Sequence, residues 1–116
     1  MKIAETARNS YWIRAQEAPT DDSRLHACIL AYLSDYWFGA AGLMLLRSPL
    51  NLEGLTATSL SHAMWFHEPT RADDWRLYDT ASPWAAHGRA LCQGALYNRE
   101  GVLVATVMQE LLLRMG

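Results

Sequence analysis

At 116 residues and 13.1 kDa the chain has room for one domain and not two. Apolar residues make up 51% and charged residues 19%, a globular composition that argues against disorder. Ten basic against twelve acidic residues leave a net charge of -2 with no basic patch for phosphates, so nucleic acid is not an expected partner.

Residues 1–9 are polar and read as a flexible N-terminal segment ahead of a single domain over 10–116. Ser10 to Ala15 is an aromatic and β-branched run that reads as a strand. A loop rich in Pro and acids follows, in which Thr20, Asp21 or Asp22 is placed to cap a helix. That helix is expected from about Ser23 to Phe38, with Gly39 and Gly42 helping to end it. It is apolar around most of its circumference, which predicts burial, and Cys28, Ala31, Tyr32, Asp35 and Phe38 fall on one face. The run Ala27 to Leu46 has the length of a membrane span. An Asp near its middle would cost about 2.5–3.5 kcal/mol there, so a buried helix is the better reading and no membrane partner is expected.

A loop with Pro49, Asn51 and Gly54 then gives way to strands: Thr56 to His67, Trp75 to Ala81, His87 to Tyr97 and Val102 to Arg114. Asn98-Arg99-Glu100-Gly101 is a turn whose Gly supplies a positive φ, making the last two strands a hairpin. One helix among five strands predicts an α+β fold in which an antiparallel sheet covers a central helix.

Several residues sit where physical chemistry makes them conspicuous. Asp35 shares its helix face with apolar side chains, where a carboxylate needs a partner or works as an acid or base. A bond to the backbone of a neighbouring loop would serve equally. Gln109 is the only polar member of the alternating set Leu103, Ala105, Val107, Gln109, Leu111, Leu113. Its amide must find partners for an oxygen and two hydrogens, either in the backbone or in a bound water or substrate. Ser59 alternates with Ser61, Ala63, Trp65 and His67, and no G-x-S-x-G surrounds it. His62 and His67 face opposite ways, so they cannot chelate together, and neither a metal nor a phosphate-binding glycine loop is expected. The five tryptophans are core, interface or pocket material. Cys28 and Cys92 lack C-x-x-C spacing, which excludes a disulfide framework and fits a reducing, cytoplasmic setting.

The block Ser61-His62-Ala63-Met64-Trp65-Phe66-His67-Glu68-Pro69 closely resembles the D-H-x-M-W-F-H-x-P segment of the acyl-CoA thioesterase II family. Arg71 to Tyr78 is similar to its R-A-D-D-W-L-L-Y run. Ser82-Pro83 with Gly88-Arg89, Arg99 to Ala105, and Gln109-Glu110 follow in the family's order. The resemblance implies a hotdog fold, a long helix wrapped by an antiparallel sheet, and likeness to the C-terminal of the family's two hotdog units. It implies hydrolysis of acyl-CoA, or of an acyl carrier protein thioester, without a cofactor. It places the catalytic trio on Asp35, Ser59 and Gln109, with His62, Trp65, Trp84, His87 and Arg89 around the substrate. Asp35 would activate a water that Ser59 and Gln109 position.

Ser61 stands where the family has Asp, and Trp84 and His87 stand where it has small residues, which bears on the acyl channel. A single hotdog exposes a sheet edge and half a pocket, so a homodimer is expected. The alternative reading keeps the fold and changes the task, to a dehydratase or isomerase of a thioester-linked intermediate or to an acyl-binding module.

Overall fold

The computed structural model of the protein describes residues 7–17, 20–35, 38 and 55–115. These form β1 (Ala7–Ile13), α1 (Ser23–Asp35), β2 (Leu55–Phe66), β3 (Arg76–Ala86), β4 (Arg89–Tyr97) and β5 (Leu103–Met115), the element order expected from the sequence. The strands make one antiparallel sheet in the order β1-β3-β4-β5-β2, so the first two strands of the chain lie at opposite edges.

Turn chemistry fixes the two central hairpins. His87 and Gly88 both take positive φ, 55° and 75°, and join Ala86 to Arg89 in a two-residue connection whose hand suits sheet twist. His87 therefore belongs to the turn and not to β4. Gly101, at φ 82°, closes the second hairpin, and Asn98 Oδ1 accepts the N–H groups of Glu100 and Val102 at 3.0 and 2.9 Å. At the edge, β1 begins earlier than expected: Ala7 to Asn9 pair with Ser82 to Thr80, so 7–9 are strand. The rest of the expected flexible segment, the glycines Gly39 and Gly42, and the loop up to Gly54 lie outside the described residues.

Asp22 is the helix cap. Its Oδ1 accepts the Arg24 N–H at 2.9 Å, and the Arg24 guanidinium returns to the same carboxyl, holding it below the usual carboxylate range. The helix ends at Asp35, earlier than the expected Phe38, which lies in a turn. Nor is it buried all round: the buried stripe is His26, Leu30 and Ser34, while Tyr32 is 76% exposed and Cys28 is exposed. A count of apolar residues misses this face because two of its three members are polar and satisfied by other elements. His26 donates from Nε2 to Thr20 O at 2.8 Å and accepts the Ala72 N–H on Nδ1 at 2.9 Å, fastening the loop ahead of the helix and the β2–β3 connection to it. No helix among the described residues is long and apolar enough to cross a membrane.

The core lies on the face of the sheet that meets α1. Tyr78, Leu96, Val107 and Leu111 pack there with Phe38, all buried. Gly94 makes room for them: a Cβ on it would run into the Tyr78 ring and come within 3.1 Å of Phe38.

Candidate active site

The last turn of α1 is tied to the sheet by groups that a helix end leaves unpaired. The Ser34 carbonyl is among the last four of the helix, which have no partner within it, and Tyr78 Oη donates to it at 2.8 Å. Burial, with smaller effects from Tyr11, Cys92 and Asp35, pushes the Tyr78 phenol far above its ordinary range, so it stays a donor. Ser34 Oγ turns back to Ala31 O at 2.7 Å and also lies 2.9 Å from His62 Nε2. These contacts tie the end of the helix, and with it Asp35, to β3 through Tyr78 and to β2 through His62.

Two strands face that helix end. On β5 the expected alternation holds from Ala105 onward, with Ala105, Val107, Gln109, Leu111 and Leu113 all buried, whereas Leu103, expected on the same face, is exposed because the β4–β5 register shifts between Leu96 and Tyr97. Gln109 is 2% exposed, and its Oε1 lies 2.5 Å from Nδ1 of His62, its partner across the β2–β5 ladder. On β2 the ladder carries a bulge. Ser59 pairs with Leu111 and Ser61 with Glu110, leaving Leu60 between them without a partner in the register.

Directly opposed residues share a face, so Ser59 and His62 join Leu111 and Gln109 on the helix side, and Ser61 and Trp65 go outward. Strict alternation groups Ser59 with Ser61, Ala63 and Trp65; the bulge overturns that grouping. It brings Ser59 Oγ to 3.3 Å from Asp35 Oδ1, a long contact of the kind unliganded sites show.

Asp35, Ser59, His62 and Gln109 thus form one cluster around the end of α1, with Phe38 set edge-on to His62 at 6.0 Å between ring centroids. Asp35 is exposed, not enclosed by apolar side chains as its spacing suggests: it is the last residue of the helix, and its Oδ1 meets Ser59 Oγ of β2. A carboxylate open to solvent beside a hydroxyl and an amide can take a proton from water and align that water.

The other residues singled out by the sequence lie elsewhere. Trp65 pairs with Thr106, Trp84 with Leu91 and Arg89 with Leu112, all on the outer face of the sheet. Arg89 reaches Glu110 there at 3.4 Å. His87 sits at the tip of the β3–β4 turn. Ser34 and Tyr78 escape the sequence reading. One looks like an ordinary helix serine and the other like a core aromatic, and only the fold brings the Tyr78 hydroxyl to the Ser34 carbonyl.

The profile of the acyl-CoA thioesterase C-terminal domain matches residues 2–113. The acyl-coenzyme A thioesterase 8 of Mus musculus is 40% identical over 109 residues, which cover 93% of this chain and 33% of that protein. Acyl-CoA thioesterase 2 of Haemophilus influenzae is 31% identical over 89% of this chain and 36% of its own. The chain spans about a third of the length of these curated relatives. Among solved structures, the acyl-CoA thioesterase II TesB2 of Mycobacterium marinum superposes with a TM-score of 0.83 at 44% identity, covering 95% of this chain and 42% of that one. The fold is accordingly the α+β hotdog.

Proposed function

The chain belongs to the acyl-CoA thioesterase family, matching its C-terminal domain, and on that premise we propose that it hydrolyses acyl thioesters of coenzyme A, or of an acyl carrier protein, to free acid and thiol. Asp35 takes a proton from a water whose oxygen attacks the thioester carbonyl carbon. The tetrahedral intermediate collapses with cleavage of the carbon–sulfur bond, and the departing thiolate receives the proton from Asp35. Ser59 and Gln109 hold the reacting oxygens, and backbone N–H groups stabilise the oxyanion. Ser59 is a positioner and no acyl-enzyme forms. The observation that carries this reading is the cluster itself. The bulge at Leu60 turns Ser59 toward Asp35 on the same face as the buried Gln109. The working unit is a homodimer, since β2 ends the sheet among the described residues and offers its open edge to a second copy.

The test is thiol release from acyl-CoA substrates of short to long chain, run on protein whose dimeric mass light scattering has established. Asp35→Asn is expected to lower release by about 100- to 10,000-fold while the circular dichroism spectrum stays unchanged, because Asp35 is exposed. A folded Asn variant with full activity would falsify the assignment of the base.

A further inference from the structure

We infer that His62 is a positioning residue that fixes the side chain of Gln109 as a hydrogen-bond donor to the reacting centre. An amide oxygen only accepts, so the ring nitrogen that meets Gln109 Oε1 at 2.5 Å must carry a hydrogen, and that nitrogen is Nδ1. The other ring nitrogen faces Ser34 Oγ at 2.9 Å, and Ser34 has one proton to give, with Ala31 O also 2.7 Å away. If Ser34 donates to Ala31, it accepts from Nε2–H and the ring donates at both ends. If Ser34 turns to His62, the ring is neutral with its proton on Nδ1. Either way Nδ1–H holds the amide oxygen, and what Gln109 has left for the site is its NH2 group.

This arrangement divides the work of the cluster. Asp35 is an acceptor, and Ser59 commits its proton toward Asp35, leaving lone pairs. Among the side chains of the cluster a donor is the missing element, and Gln109 supplies it only while its oxygen is held away. Without His62 the amide is free to turn over and present the oxygen instead, adding an acceptor where charge builds on the substrate. The chain Gln109–His62–Ser34 also ends one residue before Asp35, so the same imidazole sets the spacing between donor and base. Both ring nitrogens are spent in this way, so a direct polar contact between His62 and substrate has no free atom to use. The catalytic consequence rests on the thioesterase reading; the orientation of the amide does not.

Nitrogen–proton correlation spectra of the full chain with 15N-labelled histidine test the orientation without any turnover. His62 should show a protonated Nδ1 at neutral pH. His26 should show the opposite neutral form in the same spectrum, because its Nδ1 accepts the Ala72 N–H. The His62→Asn spectrum assigns the signal, and Gln109→Leu should release the ring to a mixture of the two neutral forms. A His62 ring with its lone pair on Nδ1 in the unaltered chain overturns the proposal.

Kinetics test the consequence. His62→Ala should lower kcat by about 10- to 100-fold with KM changed less than about twofold. His62→Asn should recover most of that loss, since its amide nitrogen falls close to the place of Nδ1. Turnover that depends on Asp35 and is indifferent to His62 overturns this inference alone. An absence of turnover with Nδ1 protonated overturns the thioesterase reading and leaves the orientation standing.

Discussion

β2 and β5 lie side by side and both supply the cluster, yet they are opposite kinds of strand. From Ala105 to Leu113 every second side chain of β5 is buried, locked between β4 on one side and β2 on the other. Among the described residues β2 ends the sheet, and from Thr56 to Phe66 every residue but Met64 is exposed. A strand flanked on both sides holds a single polar side chain in one place, because any slip would turn its whole apolar set to water. An edge strand tolerates an extra residue, and the bulge at Leu60 uses that tolerance to put Ser59 and His62 on one face. The site draws rigidity from one strand and irregular spacing from the other.

Removing one residue from each strand is the strongest way to break that comparison. Deletion of Glu110 makes Gln109 and Leu111 neighbours in sequence, so they must face opposite ways. Either Leu111 and Leu113, 4% and 7% exposed, turn outward, or Val107 and Gln109 do. Losing two buried leucines costs on the order of 5 kcal/mol or more, comparable with the whole stability of a domain this size. Urea unfolding followed by circular dichroism should find this variant unfolded or nearly so. A cooperative transition close to that of the parent would mean that the β5 register is not what holds Gln109.

The same contrast explains which parts were legible in the sequence. The alternation of β5 around a lone Gln109, and the turn at Gly101, were readable because period two and a positive φ leave residue-level signatures. The family likeness pointed to Asp35 and Ser59 as well. What stayed hidden was how they meet. A bulge has no composition of its own, so strict alternation groups Ser59 with Ser61, Ala63 and Trp65, which the fold turns to the other face. The buried stripe of α1 was hidden because His26 and Ser34 are polar, and their burial depends on Thr20, Ala72 and His62, which only the folded chain brings near. Asp35 looked enclosed because its neighbours in the helix are apolar, whereas a helix end leaves its terminal side chain open.

A smaller effect is expected where the core meets the helix end. Tyr78→Phe removes the hydroxyl that satisfies Ser34 O and should cost about 1 kcal/mol. It should also alter the alkaline limb of stability. Burial holds the Tyr78 phenol protonated far above its ordinary value, whereas in the unfolded chain a tyrosine ionises near pH 10. The contribution is therefore full below about pH 10 and falls as pH rises beyond it, since only the unfolded state gives up the proton. Tyr11, packed against it at 5.6 Å and pushed up to about 12 by burial, adds to the same limb. Denaturation midpoints at pH 8 and pH 11 should differ less in the Phe variant than in the parent. An unchanged difference would place the alkaline sensitivity elsewhere.

The smallest effect belongs to the bulge, and it sharpens the comparison most. Deleting Leu60 leaves Ser59 opposite Leu111 and Ser61 opposite Glu110 as successive rungs of a regular ladder. Ser59 and His62 are then two residues apart and still share the helix-facing side. Stability should change by less than about 1 kcal/mol, because the lost side chain is exposed and the edge strand can straighten without moving the core. The bend that a bulge adds is lost, so the contact of Ser59 with Asp35 should loosen and thiol release fall by about tenfold or less. A variant that unfolds would show that the bend of β2, and not its spacing alone, supports the sheet. Retained folding with complete loss of release would place the whole value of the bulge in the distance between Ser59 and Asp35.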